Sequence, residues 1–240
     1  PIMLTGADLI ARAKTGSGKT AAFGLTLLND LKSEQLKVQA LILCPTRELA
    51  EQVSQTLRRL ARLIPNIKIL NLSGGVPMRP QTDSLRHGAH IITGTPGRIQ
   101  KHLNNNALSL QHLKTLVLDE ADLMLDLGFT KDIHDVLKKI PKNRQTLFFT
   151  ATISKKIKSL AYDVVKDAIR IQISPKNPVS KNVTHAVAFI EMDDKRFFLE
   201  NMIKEYPEFK FLVFVRTKVR AERVVAAMER VGVKAEALHG

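Results

Sequence analysis

Eight residues near the start of the chain have the types and the spacing that hold a phosphate group. They are Ala13, Lys14, Thr15, Gly16, Ser17, Gly18, Lys19 and Thr20. A short apolar run before them predicts a strand, and residues 21–28 after them predict a helix. A glycine-rich turn at a helix start directs several backbone N–H groups at one point, where the helix dipole adds positive charge. Lys19 can then reach the terminal phosphates of a nucleotide, and the Thr20 hydroxyl can hold Mg²⁺.

This segment matches the P-loop pattern with one departure. The first position of the usual pattern is Gly and is Ala13 here, whereas Gly18, Lys19 and Thr20, which carry the chemistry, are intact. The alternative is a glycine-rich turn that binds nothing. The flanking strand and helix are the context that the motif requires, so they favour phosphate binding.

A group of carboxylates, Asp119, Glu120 and Asp122, directly follows the apolar run 116–118. Asp119 can hold Mg²⁺, largely through water, opposite Thr20, and Glu120 can orient the water that attacks a γ-phosphate. Adjacent carboxylates at a helix start can also be simple caps. The P-loop upstream favours the first interpretation, because the two elements are complementary halves of one hydrolase. Lys19, Asp119 and Glu120 are therefore the candidate catalytic residues.

The charge balance of the chain favours a polyanionic partner. Its 240 residues include 37 Lys and Arg against 23 Asp and Glu, a net charge of +14. Nucleic acid is the first candidate, although solvated basic faces give the same count. No apolar run approaches the length of a membrane span, and no signal peptide is recognisable. Cys44 is the only cysteine, so we expect no disulfide partner. Together, these features predict that the protein has no membrane partner and is located in the cytoplasm.

Short aliphatic runs alternate with helical patterns over residues 1–173, which predicts an α/β fold with a doubly wound, mostly parallel sheet. The predicted strands are Asp8–Ala13, Ala40–Cys44, Ile67–Leu72, Ala89–Thr93, Thr115–Leu118, Gln145–Phe149 and Ala168–Ile173. The predicted helices include Glu48–Ile64, Thr130–Ile140 and Ile153–Val165. Ligands of such sheets bind at the carboxyl ends of the strands, where these motifs lie.

The alternation is interrupted at residues 174–182, whose two prolines, serines and asparagine without periodicity predict a linker. Residues 1–173 are thus the first predicted domain, and residues 183–240 are a partial second one. The second is expected to contain strands Val183–Ile190, Phe211–Val215 and Ala235–Leu238 and helices Asp194–Lys204 and Val219–Val231. So few strands bury little surface, so this domain is expected to be incomplete.

Taken in order, the motifs resemble those of the DEAD-box RNA helicases over nearly the whole chain. Residues 119–122 spell the family's name, and Ala at the first P-loop position is normal in it. Further matches are Pro45-Thr46-Arg47-Glu48-Leu49-Ala50, Gly74-Gly75, Thr95-Pro96-Gly97-Arg98, Thr150-Ala151-Thr152 (Ser-Ala-Thr in the family), Leu212-Val213-Phe214-Val215-Arg216-Thr217 and the beginning of a motif at Leu238-His239-Gly240. The resemblance implies a RecA-like ATP-binding domain followed by an incomplete second RecA-like domain.

The resemblance also implies an RNA-binding set of residues. They are Pro45, Thr46, Arg47, Gly74, Gly75, Thr95, Pro96, Gly97, Arg98, Arg216, Thr217 and Gly240. Hydroxyls, guanidinium groups and open N–H groups at helix starts suit a sugar–phosphate backbone, so binding is expected to be largely sequence-independent and salt-sensitive. Two alternatives remain: residues 95–98 can be an ordinary helix start, and residues 74–75 can be only a loop.

A coupling role is implied for Asp122, Thr150 and Thr152. In the family the hydroxyls of this threonine motif connect the acidic motif to the cleft between the domains, and we expect Asp122 to be their partner here. The alternative is that residues 150–152 are a strand end that caps the helix predicted at 153–165.

The function implied is that of an ATP-dependent RNA helicase, which uses ATP and Mg²⁺ for local RNA duplex unwinding or RNA–protein remodelling. An ATP-gated RNA clamp without required hydrolysis and a DNA helicase of the same wider class are the alternatives. The adenine-reading segment would precede Pro1 and the arginine-finger motifs would follow Gly240, so weak activity is expected from these residues alone. Residues 43–50 and 58–62 suggest similarity to bacterial ribosome-assembly members, whereas RNA substrate and protein partners are unknown.

Overall fold

The computed structural model describes residues 1–14, 16–173 and 183–239. Thr15, the predicted linker 174–182 and Gly240 lie outside the described residues. The chain divides near residue 178 into two compact units, each of which is considered by itself.

The first unit is built on a seven-stranded sheet in which every neighbouring pair is parallel. The strands are β1 (Leu9–Arg12), β2 (Ala40–Leu43), β3 (Ile69–Leu72), β4 (Ile91–Gly94), β5 (Thr115–Leu118), β6 (Gln145–Thr150) and β7 (Ile169–Gln172). Their order across the sheet is β3-β4-β2-β5-β6-β1-β7. The predicted doubly wound α/β fold is therefore confirmed.

Helices connect these strands and cover both faces of the sheet. After a short 3-10 helix (Ile2–Thr5), the first unit contains α1 (Lys19–Asn29), α2 (Arg47–Leu60), α3 (Met78–Arg86), α4 (Pro96–Asn104), α5 (Ala121–Asp126), α6 (Thr130–Leu137) and α7 (Lys155–Val164). Among the residues that the structure describes, none of the helices has the length and apolar character needed to cross a membrane.

The period-two alternation of strand side chains divides the core into two layers. On β2, Leu41 and Leu43 face one layer, and Ala40 and Ile42 face the other. The first layer contains residues of α4, α6 and α7, and the second contains residues of α1 and α2. Because the central strands are buried on both faces, they are almost continuously apolar, as parallel strands between two helix layers must be.

Asp8 fixes strand β1, and with it the P-loop, between β6 and β7. Its buried carboxylate accepts hydrogen bonds from the backbone N–H groups of Thr146 (2.6 Å) and Lys166 (2.7 Å). Beside it, the Gln145 amide donates to the carbonyls of Met3 and Ala7. Side chains at the amino ends of the strands thus hold β1 in register with its neighbours.

The second unit has helices where they are predicted but not the predicted strands. Helix α8 spans Lys195–Glu205 and helix α9 spans Lys218–Arg230. Within the described part of this unit no residue is paired in a sheet, so the strands predicted at 183–190, 211–215 and 235–238 are wrong for this structure. Three short runs joined by two helices bury too little surface to hold parallel strands together. Accordingly the apolar side chains of these runs, such as Phe189 and Phe214, are exposed.

Replacing Asp8 by Ala should destabilise the first unit, because the buried N–H of Thr146 would lose its acceptor and the part-buried N–H of Lys166 would lose a hydrogen bond. An unsatisfied buried donor costs about 1–3 kcal/mol, so we expect the free energy of unfolding to fall by about 1–3 kcal/mol. Urea unfolding followed by circular dichroism measures this change. Asp83→Ala, which removes only an exposed ion pair with Arg86, is the control and should change stability by less than about 1 kcal/mol. Equal effects of the two substitutions would contradict the role given to Asp8.

Candidate functional site

All the chemical motifs of the first unit lie at one edge of its sheet, where the parallel strands end. The strand order divides that edge into two halves. The neighbouring strands β5, β6 and β1 lead into residues 119–122, 150–152 and the P-loop. The neighbouring strands β3, β4 and β2 lead into residues 74–75, 95–98 and 45–47. Each half therefore brings together three segments that are far apart in sequence.

The P-loop leads directly into the first turn of α1. Gly18 is the residue before the helix and has a φ of 81°, a conformation that glycine adopts without the strain of a side chain. No side chain caps this helix start, so its first N–H groups face the position where a phosphate would lie. Lys19 is buried, and its Nζ donates to the carbonyl of Ala13 at 3.2 Å.

The Lys19 ammonium joins the P-loop to the acidic motif. Its Nζ lies 3.8 Å from Oδ1 of Asp119, and the two side chains are only 7% and 3% exposed. This contact crosses β6, which separates β1 from β5 in the sheet. The structure therefore brings Lys19 and Asp119 together, one residue from each of the two pairs, 19–20 and 119–120, that the sequence analysis assigns to the nucleotide and its metal ion.

Asp119 has the properties of a carboxylate that would bind a cation. Within the described chain its buried Oδ1 has no hydrogen-bond partner. Burial raises the pKa of Asp119 to about 6, an effect that Lys19 opposes and Glu120 reinforces. A second positive charge would remove the cost of the buried anion, so the residue fits a magnesium ligand acting directly or through water.

Glu120 adopts a backbone conformation that is unusual for its residue type. Its φ and ψ are 54° and 53°, in the left-handed region, where a residue with a side chain costs of order 1 kcal/mol or more. It stands before α5, yet its side chain does not cap that helix. The alternative that residues 119–120 are simple caps is thus not what the structure shows for Glu120.

Asp122 is bonded to the threonine motif at the end of β6. Its Oδ2 accepts hydrogen bonds from the N–H of Ala151 (3.1 Å), the N–H of Thr152 (2.8 Å) and the Thr152 hydroxyl (2.9 Å). The hydroxyl of Thr150 instead donates to the carbonyl of Thr152 at 2.8 Å. The cap of the following helix is Ser154, which accepts from the N–H of Ile157, so the capping alternative for residues 150–152 is not supported.

In the other half of the edge, α2 and the glycine pair meet. The Thr46 hydroxyl caps α2 by accepting from the N–H of Leu49 at 3.2 Å. Next to it, the largely exposed side chain of Arg47 lies against Gly75, which has a φ of 82°. A Cβ at Gly75 would overlap the Arg47 guanidinium. The glycine therefore suits this backbone conformation, and its lack of a Cβ leaves room for the arginine in this position.

The segment at residues 95–98 is a helix start whose polar groups face the glycine pair. Thr95 precedes α4 without a side-chain cap, and Pro96 is its first residue. The Arg98 guanidinium donates to the carbonyl of Val76 (2.8 Å) and to Oε1 of Gln81 (3.0 Å). Residues 95–98 are thus an ordinary helix start and, at the same time, part of the loop cluster around residues 73–76.

Three predicted site residues belong to the second unit, and two of them, Arg216 and Thr217, are among the described residues. The Thr217 hydroxyl caps α9 by accepting from the N–H of Arg220 at 3.2 Å, and Arg216 precedes it as an exposed residue. Gln81 and His102, by contrast, belong to the first unit and were missed by the sequence analysis. Gln81 accepts a hydrogen bond from Arg98, and His102 is hydrogen-bonded to Gln81. A glutamine inside a polar helix gives no signal of such a contact in a single sequence.

Comparison with known proteins agrees with this geometry. A family model described as DEAD/DEAH box helicase matches residues 1–160. The chain belongs to the DEAD/DEAH box helicase family. This assignment confirms the resemblance seen in the motifs, and it makes the chain a relative of ATP-hydrolysing enzymes.

Individual relatives of this DEAD-box chain match it over its whole length. It is 44% identical over 245 aligned positions to the ATP-dependent RNA helicase DbpA of Escherichia coli strain K12, covering 100% of this chain and 52% of DbpA. It is 39% identical to the ATP-dependent RNA helicase CshA of Listeria monocytogenes, covering 100% and 46%. A DEAD box protein from the hyperthermophile Methanococcus jannaschii superimposes with a TM-score of 0.69 at 35% identity, covering 100% and 64%. The chain spans about half the length of these curated relatives.

The raised pKa of Asp119 predicts that the stability of this DEAD-box chain depends on pH. Folding raises its pKa from 3.8 to about 6. The native state therefore binds more protons than the unfolded state between these values, and the contribution of Asp119 to stability falls as the pH rises through this range. Between about pH 5 and pH 7.5, we expect the unmodified chain to lose about 1 kcal/mol more stability than Asp119→Asn, which does not titrate.

Urea unfolding at the two pH values measures this difference. Asp126→Asn, in which an exposed carboxylate of the neighbouring helix is replaced, is the matched control and should follow the unmodified chain. A pH dependence of Asp119→Asn equal to that of the unmodified chain would show that Asp119 does not titrate in this range.

Proposed function

We propose that this chain is part of an ATP-dependent RNA helicase that couples ATP binding and hydrolysis to local RNA duplex unwinding or RNA–protein remodelling. The observation that carries the proposal is the buried approach of Lys19 to Asp119, which joins a P-loop to an acidic motif. Because the chain spans about half of its curated relatives, the activity is proposed for the whole protein, and low turnover is expected from these 240 residues alone.

The nucleotide half of the edge has a distinct task for each side chain. Lys19 and the open N–H groups of α1 would bind the phosphates of ATP, and Thr20 and Asp119 would hold Mg²⁺, largely through water. When bound, the metal ion neutralises the charge that develops on the transferred phosphate. Glu120 would orient the attacking water, a role that agrees with a backbone held in a strained conformation next to Asp119.

Asp122 would transmit the state of this half to the rest of the protein. It follows Asp119 and Glu120 by two or three residues, and it holds the backbone at residues 151–152 through three hydrogen bonds. A shift of the acidic motif on nucleotide binding would therefore move the end of β6. This supports the coupling role proposed for Asp122, Thr150 and Thr152.

The other half of the edge would bind the RNA backbone. The starts of α2 and α4 and the glycine pair follow neighbouring strands, with Arg47 against Gly75 and Arg98 bonded to the carbonyl of Val76. N–H groups and guanidinium groups suit phosphates and carry little base information, so binding should depend on salt more than on sequence. Arg216, Thr217 and Gly240 would add contacts from the second unit.

We place this activity in the cytoplasm and, from residues 43–50 and 58–62, in ribosome assembly.

RNA-stimulated ATP hydrolysis tests the proposed function. Lys19→Ala should abolish ATP binding, and Glu120→Gln should leave ATP binding intact and lower turnover at least about a hundredfold, since each removes a separate part of the reaction. Lys37→Ala and Glu34→Gln are the controls, because they make the same two kinds of substitution at exposed positions. They should change neither ATP binding nor turnover.

The polynucleotide in the assay separates the related functions. Single-stranded RNA should stimulate hydrolysis more than DNA of equal length, and equal stimulation would favour a DNA-directed enzyme. If Glu120→Gln still released RNA and supported cellular function, the protein would be a clamp that does not need hydrolysis.

Gly75→Ala should weaken RNA binding. The added Cβ would displace the Arg47 guanidinium and would be strained at a φ of 82°, so we expect about a tenfold rise in the dissociation constant for oligouridylate. Gly128→Ala is the matched control, because Gly128 also has a φ of 82° but a Cβ there would meet nothing within 4 Å. Both variants should lose similar stability, and only Gly75→Ala should lose RNA affinity in a fluorescence anisotropy titration. Loss of RNA affinity in both would contradict the contact with Arg47.

A further inference from the structure

Gln81, on α3, makes three side-chain hydrogen bonds that reach two segments at the RNA half of the edge, the loop after β3 and helix α4. Its Nε2 donates to the carbonyl of Ser73 at 3.0 Å. Its Oε1 accepts from Nη1 of Arg98 at 3.0 Å and pairs with Nε2 of His102 at 2.8 Å. All the hydrogen-bonding capacity of the amide, except one N–H, is therefore used within the protein.

The bonds of Gln81 and Arg98 hold both ends of the loop at residues 73–76. Gln81 binds the carbonyl of Ser73, where the loop begins, and Arg98 binds the carbonyl of Val76, where it ends. Because Gln81 and Arg98 are also bonded to each other, the three side-chain contacts link the glycine loop to the start of α4. The glycine pair lies between the two anchored carbonyls.

The Arg98 guanidinium and the Ser73 carbonyl determine which way the Gln81 amide faces, and His102 fits the same orientation. Burial, with a smaller contribution from Arg98, lowers the pKa of His102, so the ring is neutral near pH 7. Because Oε1 of Gln81 already accepts from Arg98, the ring nitrogen beside it acts as a donor. Turning the amide over would place its NH₂ group against two donors and would remove the bond to Ser73. The orientation of Gln81, and through it that of Arg98, is thus fixed.

We propose that Gln81 is a positioning residue for RNA binding, which holds the Arg98 guanidinium and the loop at residues 73–76 in the arrangement that contacts the RNA backbone. The inference rests on the proposed function, because it assigns a role within the RNA half of the edge. Gln81 acts through Arg98 and the loop carbonyls. It is not itself required to touch RNA.

Gln81→Met tests the inference, because methionine keeps the length and helix preference of the side chain and removes its hydrogen bonds. With the 240-residue chain, a fluorescent oligouridylate and a non-hydrolysable ATP analogue, we expect the dissociation constant for RNA to rise about tenfold. Affinity for a fluorescent ATP analogue without RNA should be unchanged. Gln100→Met is the matched control: Gln100 lies on α4, half-buried, and bonds Asp135 at 2.7 Å away from the loop. It should leave RNA affinity unchanged.

A double-mutant cycle with Arg98→Ala separates positioning from general destabilisation. If Gln81 acts through Arg98, Gln81→Met should weaken RNA binding in the Arg98→Ala background less than about threefold, whereas an independent structural effect would multiply. Unchanged RNA affinity in Gln81→Met, an equal loss in Gln100→Met or full multiplication of the two losses would each overturn the inference. Failure of the unmodified chain to bind RNA would instead contradict the proposed function, and the inference with it.

Discussion

The approach of Lys19 to Asp119 is the contact on which the proposed nucleotide site of the first unit depends. The two residues are 100 positions apart in the chain. Lys19 follows β1 and Asp119 follows β5, and β6 lies between these two strands in the sheet. Neighbouring strands are about 4.8 Å apart, so β1 and β5 lie roughly 10 Å from each other, a gap that a long lysine side chain can bridge. The contact forms only if β1, β6 and β5 end near the same edge of the sheet. Phe148 of β6 is level with both Ile10 of β1 and Leu118 of β5, so β5 ends two residues before β1 and Asp119 still lies at the edge where the P-loop begins.

The strand order also explains how one sheet edge can present two different surfaces. The nucleotide motifs follow β5, β6 and β1, and the motifs assigned to RNA follow β3, β4 and β2. The two halves meet where β2 and β5 are neighbours, and the N–H of Asp119 donates to the carbonyl of Leu43 at 3.0 Å. Asp119, one of the proposed metal ligands, is therefore hydrogen-bonded to the strand that leads into Thr46 and Arg47. Because both halves share this strand pair, a change at one half can reach the other through the backbone alone.

Much of this arrangement could be predicted from the sequence, and the parts that could not share a physical reason. The aliphatic runs and the helical periodicity located all seven strands, because burial on both faces imposes a local pattern. Contacts such as that of Gln81 with Arg98 depend on which helices the topology brings together, and polar residues in a helix carry no periodic signal for it. The strands predicted within residues 183–239 are absent for the opposite reason. An apolar run forms a strand only when neighbouring strands are available to pair with it.

The unfavourable features of the acidic motif are best understood as a consequence of its proposed work. Asp119 is an anion buried where its charge is disfavoured, and Glu120 has a backbone conformation that its residue type avoids. Neither feature contributes to the stability of the fold, and both persist because the well-packed strands on either side determine the path of the chain. A bound cation would reverse the penalty at Asp119, so the cost is present without the ligand and is removed with it. Local rules broken next to an otherwise consistent core therefore mark the place where binding energy is expected to be used.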